Sequence, residues 1–578
     1  MKVHFAAVNA SYMHTCLAIR SIESFVRANL PSQSGIELSC GEYTINEPHG
    51  EIIRKIAQTH ADIVLFSTYI WNAEVCKNLI SDIKKVLSCS LVGAGGPEFG
   101  YAAEKYLSTL SDLDFIISGE GEQTVLELLS KLNRNIFLEN KTASSKDFAE
   151  VLKTVSGVYY RQNSEKIVFT SPRQLIENLD SLTFGYPELL TDCFEQDNKI
   201  YYYESSRGCP YSCSYCLSSI DKSVRFKSTE KVFSELKIFL DANVKLVKFV
   251  DRTYNINPER YISIWKYILK NHNGKTMFHF EIEAEYLSKE ALEFLQTVPC
   301  NVMQFEVGVQ SSNKKTLRAI NRSDNIEKLA ENIKQIPKTI HQHLDLIAGL
   351  PYEDLSSFEK SFDFVMSLRP DALQFGFLKV LNGTLMHKYA SENDYKWQTN
   401  AVYETLSTPF MSFDEMMFLK DIEVLVDEFW NKHIFDNTVK YVFDNISPFA
   451  FFESICNFAK QKGSLNQARK DYYWFEFLNE YFSKFNSFEK LDLLLISNLL
   501  RYDFVLTGKK GGFPSWYDHR YDKERHRILL EQKGLLHSTR LAFALTEYEV
   551  FDFDVSKEVP SENKKTTELL IKYESQKR

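Results

Sequence analysis

The chain has 578 residues, 44% of them hydrophobic and 25% charged, a composition of globular rather than disordered or fibrous proteins. Lys and Arg total 68 against 77 Asp and Glu, a net charge of −9, so nothing in the overall charge attracts nucleic acid and no such partner is expected. No run approaches the ~18 uninterrupted apolar residues of a membrane helix, and Met1–Asn9 is interrupted too early for a signal peptide. The expected location is therefore the cytoplasm. At roughly 150 residues per domain the length suggests three or four domains, and the ten cysteines read as thiols or metal ligands rather than disulfides.

Over residues 1–135, β-rich runs at 2–8, 36–45, 62–69, 90–93 and 114–118 alternate with amphipathic helical patterns. Such alternation builds an α/β fold, here a flavodoxin-like doubly wound sheet, whose ligands sit beyond the carboxyl ends of the strands. Residues 136–195 read as a connector containing a hairpin around Asn163-Ser164-Glu165. From 196 to 400 the alternation resumes, with strands expected at 199–205, 244–250, 276–282, 302–307, 343–347 and 372–379. Six βα units are too few for an eight-unit barrel, so a partial (β/α)6 TIM-type barrel is expected. Residues 401–578 read as a mostly α-helical, aromatic-rich domain with a loosely packed polar tail from about 555.

The sharpest local signal is Arg207-Gly208-Cys209-Pro210-Tyr211-Ser212-Cys213-Ser214-Tyr215-Cys216, three cysteines at C-x3-C-x2-C just past a strand. Three thiolates on a four-iron cluster leave one iron open for a substrate or cofactor. The alternatives are a structural zinc site, which would want a fourth ligand nearby, or three independent thiols. The nearest other cysteine is Cys193, and no histidine occurs between it and Cys216.

The triplet, with Tyr215 before its last cysteine, resembles the motif of the radical S-adenosylmethionine (SAM) superfamily. The resemblance extends over the six units: Asp251 and Arg252 follow the second strand, Glu281-Ile282-Glu283 ends the third, Glu306-Val307-Gly308-Val309-Gln310-Ser311 ends the fourth, Gly349-Leu350-Pro351 follows the fifth, and Leu378–Thr384 follows the sixth, with Asn382 where the family has proline. It implies that Cys209, Cys213 and Cys216 hold a [4Fe-4S] cluster. It also implies that Tyr215, Asp251, Arg252, Glu283, Glu306, Gln310 and Gly349 contact SAM, and that an electron donor such as flavodoxin or ferredoxin is needed. No catalytic side chain is assigned beyond the cluster and SAM.

Ala94-Gly95-Gly96-Pro97-Glu98 and Ser118-Gly119-Glu120-Gly121-Glu122 resemble the G-G-P and G-E-G-E loops of the cobalamin-binding subgroup of that superfamily. The resemblance implies a cobalamin site at Ser67, Thr68, Gly95, Gly96, Pro97, Glu98, Gly119, Glu120 and Gly121. The D-x-H-x-x-G cobalt-ligand motif is missing, and His14 lacks its spacing. Cys16, Cys40, Cys76 and Cys89 lack the flanking motifs of the methylthiotransferase branch and read as buried structural thiols. Residues from about 400 resemble an uncharacterised helical domain appended to some members; Arg501–Asp503 and Gly511–Asp518 there either cap the barrel mouth or form an ordinary core with a polar rim. The expected function is reductive cleavage of SAM, with cobalamin-dependent methylation of an unactivated carbon of an unidentified small-molecule or peptide substrate. A radical cyclase or rearrangement enzyme and a non-catalytic iron–sulfur or corrinoid sensor are the alternatives.

Overall fold

The computed structural model describes residues 1–573 except 32, 89, 133–144, 164–165, 192–197, 466, 486–487, 509–511, 536–541, 544 and 558–562. Cys89, Cys193, Ser164, Glu165 and Gly511 fall outside the described residues. The chain divides into two compact units, residues 1–353 with 377–412, and residues 354–376 with 413–578.

The first unit holds two large sheets and, among the described residues, two small two-stranded ones. In the first, β1 (Lys2–Asn9), β2 (Glu37–Thr44), β3 (Ile63–Ser67), β4 (Leu91–Gly95) and β5 (Phe115–Ile117) run parallel in the order β2-β1-β3-β4-β5. Alternate side chains of each strand point to opposite faces. Ala6, Val8, Val64, Phe66 and Ile116 pack with Ile52, Leu79 and Ile83 on one face, while Val3, Phe5, Ala7, Leu65 and Phe115 pack with Ile19, Val125 and Leu128 on the other. A strand buried on both faces reads as a continuous apolar run, as Ile63–Phe66 does. The expected hairpin forms, but it is part of this sheet rather than of a connector. β6 (Val158–Arg161) pairs antiparallel with β5, and β7 (Ile167–Phe169) with β6, making seven strands. Phe115, Val158 and Tyr160 share one apolar cluster, and burying them is what recruits the hairpin.

The second sheet carries β8 (Ile200–Tyr203), β11 (Leu246–Phe249), β12 (Met277–Ile282), β13 (Met303–Gln310) and β14 (His341–Ala348), neighbours in sequence order and all parallel. The intervening helices start at side-chain caps: Ser228, Asn257, Ser288 and Asn325 each accept from a backbone N–H in the first turn, which satisfies an otherwise orphaned donor. The outward face is apolar, with Trp265 stacked on Phe305 and meeting Phe280 edge-on. Its inward face carries Tyr202, Lys248, His279, Glu281, Gln304, Glu306, His341, His343 and Asp345, in register across four strand pairs.

The second unit contains the helix Leu355–Ser367, all but the last residue of the sixth expected strand β15 (Ala372–Phe377), helices from Phe413 onward, and a hairpin of β16 (Thr546–Phe551) with β17 (Thr567–Lys572). The hairpin's second strand corrects the expected polar tail: the short apolar run Leu569–Ile571 pairs with the buried strand Thr546–Phe551. Its core is aromatic, around Phe429, Phe435, Phe451, Phe458 and Trp474. The Arg501–Asp503 and Phe513–Asp518 segments belong to that core. Buried Arg501 donates to Glu549 at 2.7 Å, the Tyr517 hydroxyl donates to the same carboxylate at 2.9 Å, and Asp503 accepts from the Asn437 and Thr438 amides at the start of a helix. Among the described residues no helix is long and apolar enough to cross a membrane.

His4 offers a test of the first sheet. It is buried in β1 against the Ser39 and Tyr43 hydroxyls, at 2.9 and 3.0 Å, and burial pushes its pKa down to about 4. Above pH 6.5 the ring is neutral in both the folded and unfolded chain. Below it, the unfolded chain takes up a proton that the native state refuses until about pH 4, so stability falls as pH drops through that window, by about 3 kcal/mol for this group. Urea unfolding between pH 7 and 4 should show this slope, and His4→Gln should reduce it.

Candidate active site at the cysteine loop

After β8 the short β9 (Ser206–Arg207) pairs antiparallel with β10 (Arg225–Phe226), and the cysteine triplet lies in the loop between them. Gly208 has φ +97°, and a Cβ there would sit 2.0 Å from the Ser223 carbonyl oxygen, so only glycine lets the loop close. Hydrogen bonds then fix its course: the Cys209 N–H donates to Asp221 O (3.1 Å), that of Cys216 to Cys213 O (3.1 Å), and that of Ser214 to Ile320 O (3.0 Å). Asp251 anchors the loop's entry from beneath. Its buried carboxylate accepts from the Ser205 N–H and from the Ser205 and Ser206 hydroxyls at 2.6–2.9 Å. Burial pushes the Asp251 pKa up and these donors oppose the rise. Arg252 is exposed.

The three thiols meet different surroundings. Cys209 is buried with its sulfur 3.7 Å from the Thr253 hydroxyl. Cys213 is half-buried and accepts from Arg322 at 3.9 Å; burial raises its pKa and Arg322 works against the rise. Cys216 is half-buried. Among the described residues no three His, Cys, Asp or Glu side chains stand close enough to share a single metal ion, whereas a cluster distributes its thiolates over several irons.

A cleft beside the loop is lined by Tyr211, Cys213, Glu283, Tyr286, Arg322 and Ser323. Arg322 organises it, donating to Glu283 at 2.5 Å and to Gly308 O at 2.7 Å. Burial opposes its charge, but Tyr215, Glu283 and Cys213 outweigh that and strengthen it. Sequence reasoning missed Arg322 because it lies past a helix, in a turn opened by Asn321 at φ +58°, rather than at a strand end. Tyr215 packs on the cluster of Leu317, Leu350 and Met386. Gln310 has φ +68° at a register shift in β13, and its amide lies where a Cβ on residue 308 would be, which accounts for the glycine there. Gly349, at φ +87°, forms the turn after β14.

Glu306 faces the sheet's inward side, not the loop. It accepts from Lys248 and pairs with His279, each at 2.9 Å. Burial alone would raise its pKa, but His279 and Lys248 together bring it down to about 2. The neighbouring carboxyls respond oppositely. Burial and the Glu306 charge push Glu281 up, and burial with Glu306 and Glu281 pushes Asp345 well up. One Asp345 oxygen is buried without a hydrogen-bond partner. Burial also lowers the His343 pKa to about 4, with His341 and His279 adding to it.

In the first sheet, the loops after β3, β4 and β5 come together. Thr68 donates from its hydroxyl to Gly95 O (2.7 Å) and accepts from the Phe99 N–H (3.2 Å). Ser67 is buried at the end of β3, and Pro97 opens the short helix Pro97–Tyr101. Gly96 sits at φ +100°, where a Cβ would lie 2.4 Å from Thr68 O; Gly119 sits at φ +84° facing open space. Gly121 begins the helix Gly121–Lys131, with Glu120 before it. Trp71, 45% exposed, stacks on Tyr69 at 4.3 Å, and Tyr12 and Tyr101 are also exposed. The open space at Gly119 and the exposed Trp71 ring at the carboxyl ends of the strands fit a large, flat ligand such as a corrinoid. His14 is bonded through Nδ1 to the Tyr202 hydroxyl at 2.7 Å. Cys16 and Cys76 are buried as expected, but Cys40 is exposed, because β2 is the edge strand of the sheet.

Residues 5–129 match the B12 binding domain, residues 203–365 the radical SAM superfamily, and residues 391–571 a domain described only as a protein of unknown function, DUF4080. The chain is 25% identical to an uncharacterized methyltransferase, PH0819, of Pyrococcus horikoshii, over 59% of this chain and 70% of that one. It is also 25% identical to the cobalamin-dependent radical SAM methyltransferase TokK of Streptomyces tokunonensis, over 51% of this chain but only 44% of TokK. Among solved structures it resembles the cobalamin-dependent SAM radical enzyme OxsB with aqua-cobalamin and SAM bound, at a TM-score of 0.60 and 14% identity, over 94% of this chain and 83% of that one. Residues 203–365 therefore form a radical SAM domain and residues 5–129 a B12-binding domain ahead of it. The cofactors of these domains are a [4Fe-4S] cluster, SAM and cobalamin, and radical SAM enzymes in general need a reductant.

The two loop glycines should behave differently. Gly119→Ala meets only backbone strain, about 1–2 kcal/mol, whereas Gly96→Ala also drives a methyl into the Thr68 backbone. Urea unfolding of the full chain should show the larger loss for Gly96→Ala.

Proposed function

We propose that this protein is a cobalamin-dependent radical SAM methyltransferase acting on an unactivated carbon of a small polar molecule. The observation that carries the reading is one juxtaposition. The three-cysteine loop, an adjoining Glu283–Arg322 pair and a charged sheet interior lie together, in the same compact unit as the loops of the B12-binding domain. When bound, the cluster and SAM supply reductive C–S bond cleavage, and cobalamin supplies a methyl carrier.

Each chain residue then has a part. Cys209, Cys213 and Cys216 hold the cluster and leave one iron open. The Arg322 guanidinium and the Glu283 carboxylate, paired beside Cys213, complement the carboxylate and ammonium of the methionine end of SAM. Asp251 fastens the loop from below rather than touching ligand. Gly119 admits the corrinoid by leaving backbone bare, Gly96 lets its loop pack on Thr68, and His14, held by Tyr202, stands outside cobalt ligation.

The interior of a closed barrel is ordinarily filled with branched aliphatic side chains. Here Lys248, Glu281, Glu306, His279 and His343 take that space, which supports a polar substrate seated against them. Glu306 is the fixed anion of the group. Glu281 and Asp345, with raised pKa values, keep protons more readily and can donate hydrogen bonds to the substrate.

The test is anaerobic, on the full chain reconstituted with iron, sulfide and hydroxocobalamin, then given SAM and a reductant. About four irons and one cobalt per chain, with both S-adenosylhomocysteine and 5′-deoxyadenosine as products, are expected. 5′-Deoxyadenosine without S-adenosylhomocysteine would replace methyl transfer by a ring-forming or rearrangement reaction. Neither product would leave a sensor. Cys209→Ala, Cys213→Ala and Cys216→Ala should each abolish SAM cleavage and leave the circular dichroism spectrum unchanged; cleavage retained in all three would overturn the cluster assignment.

A further inference from the structure

The carboxylates of the two motif loops of the B12-binding domain are engaged by other residues of the chain. Glu120 and Glu122, next to Gly119, point into the radical SAM domain. Glu122 receives Arg207 at 2.9 Å and the Ser21 hydroxyl at 3.2 Å. Glu120 receives Arg225 at 2.7 Å and Arg207 at 3.3 Å on one oxygen, and the Ile176 N–H at 2.8 Å on the other. Arg207 turns its remaining donors to Glu204 at 2.7 Å, and Arg225 to Asp221 at 2.8 Å. All four central side chains are nearly inaccessible: 5% exposed for Glu122, 11% for Glu120, 18% for Arg207 and 10% for Arg225. Arg207 stands two residues before Cys209, and Arg225 is on the strand paired with it.

The other loop behaves alike. Glu98, 4% exposed, accepts from the Tyr106 hydroxyl at 2.5 Å and from the Tyr403 hydroxyl. Tyr403 lies in the loop segment whose carbonyl receives the Val380 N–H. Tyr101 presses on Gly383, where a Cβ would meet its ring at 3.2 Å. Glu98 and Tyr101 thus dock on the segment that follows the sixth strand.

We propose that Glu98, Glu120 and Glu122 are positioning residues that fasten the corrinoid domain to the radical SAM domain at two separate points, Glu120 and Glu122 beside the cysteine loop and Glu98 on the segment after the sixth strand, and so set the separation between corrin and cluster, rather than contacts to cobalamin. Only the identity of the bound groups rests on the proposed function; the fastening itself is a property of the chain. The division of labour follows: the loops offer backbone to the ligand through glycine, and side-chain charge to the neighbouring domain. Because the ion pairs are desolvated, removing one side leaves an uncompensated buried charge and loosens the partner loop.

The experiment compares Glu120→Gln/Glu122→Gln, Arg207→Met and the milder Arg207→Lys with the unaltered full-length protein. In the cofactor-free chain, hydrogen–deuterium exchange should rise at least tenfold across residues 205–226 in the Gln pair, and across 118–123 in Arg207→Met, with Arg207→Lys between. Titration with hydroxocobalamin should give an affinity within about twofold of the parent. In the loaded protein, pulsed electron paramagnetic resonance between cob(II)alamin and the reduced cluster should give one sharp distance for the parent and a broadened distribution for the Gln pair. A merely local structural role would leave that distance sharp. A tenfold loss of hydroxocobalamin affinity with exchange unchanged would make the carboxylates ligand contacts and overturn the proposal. If a variant fails to fold, Arg207→Lys carries the test. A parent that takes up no corrinoid would sink the proposed function, while the exchange data still judge the fastening.

Discussion

Arg207 is the residue on which the arrangement turns. It stands two positions before the first cysteine of the triplet and divides its guanidinium among Glu122, Glu120 and Glu204. Burial alone would discharge it, but Glu204 and Glu122 outweigh burial and hold it firmly protonated; the same contact holds Glu122 ionised against its own desolvation. A buried pair of this kind adds little net stability compared with an apolar contact, yet it is costly to break and it specifies geometry. For the proposed reaction, which would join two cofactors on two domains, geometry is the scarcer quantity, since misplacement by an ångström costs large factors in rate.

The second sheet shows the same economy. Its outward face is stabilised by ordinary aromatic packing around Trp265. Its inward face gives up that packing for Lys248, His279, Glu281, Glu306 and His343. Charge inside a sheet is unfavourable unless paired, and only part of it is paired: Glu306 has two partners, while an Asp345 oxygen has none. Ionisable groups pushed in opposite directions in one enclosed space are the mark of a site rather than of a scaffold.

The legible and illegible parts divide by distance along the chain. The two alternating α/β regions were readable because strand and helix periodicities are local, and the cysteine triplet because its spacing is complete within eight residues. Asp251 follows its strand as expected, whereas Glu306 lies in the middle of β13 because that strand runs on to Gln310. A strand position says which face a side chain points to only once register is known, and register here puts Glu306 opposite Glu281 and His343. Arg322 was invisible because nothing near it in sequence marks it. The hairpin of β6 and β7 was seen, but its attachment to β5 depends on apolar partners more than forty residues away.

The sequence by itself determined the family chemistry: three thiols in a short loop, glycines at strand ends, and a charge and hydropathy pattern compatible with two successive α/β folds. Those features depend on covalent spacing and backbone permissiveness, which are written residue by residue. Only the tertiary structure decided where the acidic side chains of the glycine loops go. Their partners, Arg207, Arg225 and Tyr403, lie 85 to 305 residues away, and ion pairing between buried groups depends on three-dimensional proximity that no local pattern encodes.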